Sequence, residues 1–150
     1  MRLYDILSPQ SIALDVPAGD WQEAVRQAGK YMLVADGIEE RYIQAMIDAI
    51  IDIGPYMVVA PGIAIAHARP EHGAKKICLS IVRLKEPVKF GSSTNDPVDL
   101  VFGLAAMDHE SHIGALRDLA NLLQDADSMH AIRGAKKADK VYELIKAIQA

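Results

Sequence analysis

Residues 97–107, PVDLVFGLAAM, form a near-continuous apolar run, and this run limits the fold more than any other feature of the chain. A strand with one wet face alternates apolar and polar side chains, whereas a strand apolar throughout needs cover on both faces. Val98 to Ala106 is therefore expected to be a central strand, and the rest of the chain has to supply helices for both sides of its sheet.

Helical periodicity precedes and follows this run. Asp20, with Glu23 three residues on, is a capping-box pattern, and Trp21, Ala24, Val25, Ala28, Met32 and Ala35 recur at helical spacing until Gly37. From Glu39 a second stripe, Tyr42, Ile43, Met46, Ile47, Ile50 and Ile51, runs to the stop signal Gly54-Pro55. Asp108 can cap a third helix, with His112, Ile113, Leu116, Leu119, Ala120 and Leu123 inward. A short helix from Ser128 and another from about Ala138 to Ile148, with Val141, Leu144, Ile145 and Ile148 inward, close the chain. Before Asp20 the chain shows only a short helical turn and the apolar run Ile12 to Leu14, closed by Pro17 and Gly19.

Between the second and third helices the period is extended. Tyr56–Ala60, a Pro61-Gly62 turn and Ile63–His67 are expected to form a hairpin. Ile77–Leu84 is another strand, interrupted at Glu86-Pro87, with Val88–Phe90 continuing on an edge and Gly91–Pro97 as a loop. Because side chains alternate along a strand, Ile63, Ile65 and His67 share one face, and Ala64, Ala66 and Ala68 the other. Pro70 ends the extended segment, which leaves the His67 imidazole at a strand end.

Composition excludes several function classes. The chain has 150 residues, 51% of them hydrophobic, and a formal charge of −4. It is expected to be one domain over residues 1–150, without the basic patch that nucleic acid requires. No apolar run reaches the roughly 18 residues of a membrane span, and MRLYDILSPQ lacks a signal layout, so a cytoplasmic location without membrane insertion is expected. The single cysteine, Cys78, sits in the strand-like ICLSIVRL and reads as core filling.

His67 is the leading candidate for chemistry. A neutral imidazole nitrogen is a good nucleophile near neutral pH, and a phosphoryl group carried on it stays labile. Arg69, two residues on and on the same strand face, could grip phosphoryl oxygens, and the first turn of the third helix could bring His112 and free N–H groups to the same anion. The plainer alternative is a histidine satisfied by backbone at a strand end, a solvated Arg69, and His112 packed beside Leu116. A further alternative is zinc on the pair His109 and His112, with His67 or His72 as third ligand.

These residues resemble a known family. Gly62-Ile63-Ala64-Ile65-Ala66-His67-Ala68-Arg69 is similar to the Gly-Ile-Ala-x-x-His-x-Arg hallmark of phosphotransferase-system enzyme IIA domains of the mannitol–fructose class. His112 to Ala120 resembles their later helix start. IGPYMVVAPG, HARPE, NDPVDLVFGLAAMD and HIGALRDLANLL look like the ascorbate branch. The resemblance implies an α/β three-layer sandwich, a mixed, roughly five-stranded sheet flanked by helices. It also implies a phosphocarrier. His67 would take a phosphoryl group from the carrier HPr and pass it to a cysteine of the cognate IIB protein, which serves the IIC permease, for ascorbate or a related pentitol-like compound. His112 would support the phosphohistidine, and no cofactor is implied. Two positions depart from the pattern: Ala66 stands where proline is usual, and Ile50-Ile51-Asp52 where many members carry an arginine, so Arg69 is the expected replacement cation. The rival readings are a regulatory paralogue with the same site chemistry and a small histidine-based metal protein or hydrolase. A homodimer could form by two-fold pairing of a sheet edge or helix face.

Overall fold

A computed structural model describes residues 2–149. The central run becomes strand β5, and its neighbours follow from which segments can share its buried position. The strands are β1 (Ile12–Val16), β2 (Val58–Ala60), β3 (Ile63–Ala66), β4 (Cys78–Val88) and β5 (Val98–Ala105), arranged β1-β4-β5-β3-β2 in one sheet. The outer pairs β1·β4 and β2·β3 are parallel and antiparallel; β4·β5 is antiparallel and β3·β5 parallel, so the sheet is mixed. β5 lies in the middle and every residue from Leu100 to Ala105 is buried, as its apolar run requires.

Helices α1 (Trp21–Val34) and α2 (Glu40–Ile53) belong to one side, and α3 (His109–Gln124), α4 (Ala126–Gly134) and α5 (Ala138–Gln149) to the other. The strand alternation sorts the core. Ala64, Ala66, Val82 and Val101 join the α1–α2 cluster, whereas Ile63, Ile65, Ile81, Leu100 and Phe102 join the cluster under α3, α4 and α5. Each fully buried Leu, Ile or Phe in these layers is worth about 1.5–3 kcal/mol of burial.

Local details explain several boundaries. Asp20 caps α1 by accepting the Glu23 N–H at 2.8 Å. The reciprocal half of the expected box is absent, since the Glu23 carboxylate turns to Gln27 and Arg26 instead. Gly54, at φ 107°, ends α2 in a conformation that other residues rarely adopt. Arg83 reaches from β4 to the carbonyls of Ile132, Arg133 and Ala135, placing a cation at the C-terminus of α4 where the helix dipole favours it.

The apolar run Ile12–Leu14, to which the sequence assigned no element, is part of strand β1. Three expectations need correction. Pro87 does not interrupt β4, which continues to Val88 through a register irregularity between Arg83 and Val88 that accommodates the missing N–H. In α3 the buried line is Ala115, Leu119 and Leu122, with Leu116 and Leu123 packed at its edge; Ile113 and Ala120 face outward, because the face set against the sheet is rotated from the one expected. Ile148 is 44% exposed rather than inward.

Helix α1 packs tightly on the sheet at Gly103. A Cβ there would overlap Ser80 Oγ and lie 2.8 Å from Met32 Cε. Ser80 is itself held, donating to the Ala28 carbonyl at 2.8 Å. Gly103→Ala is therefore expected to cost about 1–3 kcal/mol through overpacking. Urea unfolding checks this, and an unchanged midpoint would mean that α1 simply moves away.

Candidate functional site

The parallel ladder between β3 and β5 closes with the pair Ala66 and Gly103, and His67 is the first residue beyond it. His67 is half-buried, and its Nδ1 lies 2.9 Å from the carbonyl oxygen of Ile65. A carbonyl only accepts, so Nδ1 carries the proton and Nε2 holds the available lone pair. The plainer reading thus applies to one ring nitrogen and leaves the other for chemistry.

His112 lies in the first turns of α3, and its ring centroid is 5.2 Å from that of His67. Residues 45 positions apart in the chain therefore meet. Tyr56, at the start of the hairpin, stands edge-on to His67 at 5.9 Å. Sequence periodicity marked Tyr56 only as a strand residue; its place after the Gly54-Pro55 stop, next to the hairpin that carries His67, was the available signal.

The two rings open on a cavity of about 910 Å³, whose walls include Arg41, Asp48, Asp52, Arg69 and Asp108. Arg69 is not on the strand face shared by Ile63 and Ile65, because β3 has ended; it precedes the short 3-10 helix Pro70–His72 in extended backbone. It still lines the cavity, exposed, and its guanidinium has no hydrogen-bond or ion-pair partner among the described residues. Arg41 lines the same cavity, but its Nε donates to Glu39 at 2.6 Å and an Nη to the Glu71 carbonyl at 3.0 Å. The α2 wall otherwise presents Asp48 and Asp52, so Arg69 is the cation at hand.

The N-terminus of α3 departs from expectation. Its Ser111 N–H, which could have served an anion, donates to Asp108 Oδ1 at 2.7 Å, and the His112 N–H donates to the Asp108 carbonyl at 3.1 Å. The Ser111 bonds hold the Asp108 carboxyl below its ordinary value, so a negative charge already sits at this helix end. The helix contributes the His112 side chain to the site, and its capped backbone contributes less than the sequence suggested.

Burial lowers the His67 pKa from the ordinary 6.5, partly offset by the bond to Ile65. His112 is lowered as well, by burial first and then by repulsion from His67 and His109. Both rings are neutral at pH 7. The zinc alternative lacks its geometry: no group of three or more His, Cys, Asp or Glu among the described residues is arranged to hold a metal ion. Cys78 is 2% exposed and burial pushes its thiol up to about 11, which suits core filling. Among the described residues no helix is long and apolar enough to cross a membrane.

A half-buried neutral histidine with one committed nitrogen, a second histidine beside it and an unpaired arginine can receive a small dianion. Comparison with known proteins gives the family. Residues 5–148 match the family model described as phosphoenolpyruvate-dependent sugar phosphotransferase system, EIIA 2. The chain is 40% identical over 153 aligned positions to the ascorbate-specific EIIA component of Salmonella choleraesuis strain SC-B67, covering 100% of this chain and 99% of that one. Among solved structures it resembles the mannitol-specific cryptic phosphotransferase enzyme IIA of Escherichia coli, with 38% identity, TM-score 0.87 and coverage of 98% and 99%. It also resembles the Escherichia coli complex of mannitol enzyme IIA with phosphorylated enzyme IIB, with 28% identity, TM-score 0.82 and coverage of 93% and 96%. This chain belongs to the EIIA 2 family of the phosphoenolpyruvate-dependent sugar phosphotransferase system.

Proposed function

We propose that the chain, acting as one EIIA domain over residues 1–150, is the cytoplasmic phosphocarrier of an ascorbate-type uptake system. His67 accepts the phosphoryl group from phospho-HPr on Nε2 and passes it to a cysteine of the cognate IIB protein, which serves the IIC permease. The observation that carries this reading is the bond from Nδ1–H to the Ile65 carbonyl, because it fixes the tautomer and leaves Nε2 as the nucleophile. The ascorbate assignment is supported by the full-length likeness to ascorbate-specific relatives.

In the step itself the Nε2 lone pair attacks phosphorus while the P–N bond to the donor ring breaks, and the donor nitrogen keeps that electron pair. Nδ1–H remains bonded to Ile65 and stabilises the positive ring that forms. The arriving dianion opposes the burial, and the lesser repulsion from His67 and His109, that lower the His112 pKa, and it favours an N–H pointed at phosphoryl oxygen. Arg69 supplies the counter-charge. The cavity rim carries exposed Ile53 and Tyr56, apolar surface over which a protein donor can close.

The neutral ring is the reactive form, and its pKa is lowered. Acceptance is therefore expected to stay level as pH falls through 6.5, the ordinary histidine value, and to decline only below it. Titration of the His67 ring resonances by NMR, alongside the rate, checks this; a midpoint at or above the ordinary value contradicts it. The function is tested by mixing the phosphorylated protein with purified ascorbate-type and mannitol-type IIB proteins. Rapid transfer to the ascorbate-type cysteine is expected, and preference for the mannitol-type partner would overturn the substrate class.

A further inference from the structure

We propose that Tyr42 is a positioning residue for His67, an inference that rests on His67 being the phosphoryl acceptor. Tyr42 lies on α2, is 0% exposed, and in sequence is indistinguishable from the other members of an apolar stripe. Its hydroxyl, however, sits between the segment that carries His67 and strand β5, which leads to the helix of His112. It accepts the Ala68 N–H at 2.9 Å, and it lies 3.0 Å from both the Ala68 carbonyl and the Leu104 carbonyl, to either of which its one proton can be donated.

The place matters more than the bonds alone. The β3–β5 ladder ends at Ala66 and Gly103, so the chain at His67 and Ala68 has no further sheet partner. At that point the Tyr42 hydroxyl bridges Ala68 to Leu104 and takes over the work of the next rung. Leu104 leads within four residues to Asp108, the cap of the helix that carries His112. A single buried hydroxyl thus ties the backbone after His67 to the strand leading to its partner ring. On the other side the Ile65 carbonyl holds the imidazole itself. Burial pushes the phenol up to about 12, so it keeps its proton and can donate throughout the working pH range.

Tyr42→Phe removes only the oxygen. With the bridge gone, the ring still fills its site, but His67 samples positions away from His112. Misplacements well under an ångström are costly in group transfer, so the rate at saturating phospho-HPr is expected to fall about tenfold. The half-saturating HPr concentration should be unchanged, and the His67 ring-nitrogen resonances should show a smaller Nδ1–H population. Ser80→Ala is the matched control, since Ser80 is equally buried, its hydroxyl also bonds a backbone carbonyl, that of Ala28 on α1, and neither residue lines the cavity. That variant should lose comparable thermal stability and keep the wild-type rate. Tyr42→Phe with reduced stability but wild-type transfer and unchanged histidine resonances would overturn the inference. The wild-type Ala68 amide gives a reading that needs no variant: exchange with solvent as slow as that of β3 is expected, and rapid exchange would overturn the bridge. Absence of phosphoryl acceptance by the wild type would instead overturn the reading of His67.

Discussion

His67→Ala is expected to fold normally and to accept no phosphoryl group from phospho-HPr. The fold should stand because His67 lies past the end of β3, half-buried, and its ring makes one hydrogen bond among the described residues, to Ile65, besides its ring contacts. Losing one such bond costs about 1 kcal/mol, small against the typical 5–15 kcal/mol of a domain. The chemistry should not survive, since transfer without a covalent acceptor has no intermediate to pass on. Three other histidines, His72, His109 and His112, line the cavity, so the variant also asks whether one of them is the true acceptor. Thermal unfolding with acid-labile phosphate analysis reads both halves. Phosphate found on His112 in the variant at the wild-type rate would reverse the roles assigned to the two rings.

The second large effect is expected for His112→Ala, which should slow acceptance roughly a hundredfold, the usual loss when one donor aimed at developing charge is removed. It should not abolish labelling, because Nε2 of His67 is set by Ile65 and not by His112. The phosphorylated form should also hydrolyse faster, having lost the ring 5.2 Å away that shields and bonds it. His112→Gln, which keeps an N–H donor near the same position, should recover part of the rate. Rapid-quench kinetics with phospho-HPr measure this, and wild-type kinetics in His112→Ala would mean that the two histidines do not share a site.

How much of this was legible depends on the distance over which each residue acts. The β5 run, the caps Asp20 and Asp108, the Gly54-Pro55 stop and the alternation of Ile63, Ala64, Ile65 and Ala66 are local patterns, and the structure places each where its period implied. Pro87 misled because a strand can carry a proline where its register slips, a fact decided by the partner strand. The inward face of α3 is decided in the same way by its partner: hydrophobicity favours Ile113, but packing buries Ala115, Leu119 and Leu122 and leaves Ile113 exposed. The meeting of His67 with His112 follows from spacing only on the condition that α3 docks across the sheet, a long-range fact that the periodicity does not contain and that the family resemblance also implied. Tyr42 was hidden most completely. An aromatic in an apolar helical stripe reads as core, and it is core; the role of its hydroxyl depends on Ala68 and Leu104, 26 and 62 residues away.

The central claim is a phosphohistidine at residue 67, and intact-mass measurement after incubation with phosphoenolpyruvate, enzyme I and HPr tests it most directly. A single acid-labile phosphoryl addition to the wild type, absent from His67→Ala, is the predicted result. An unmodified wild type, or an equal addition to both proteins, would contradict it.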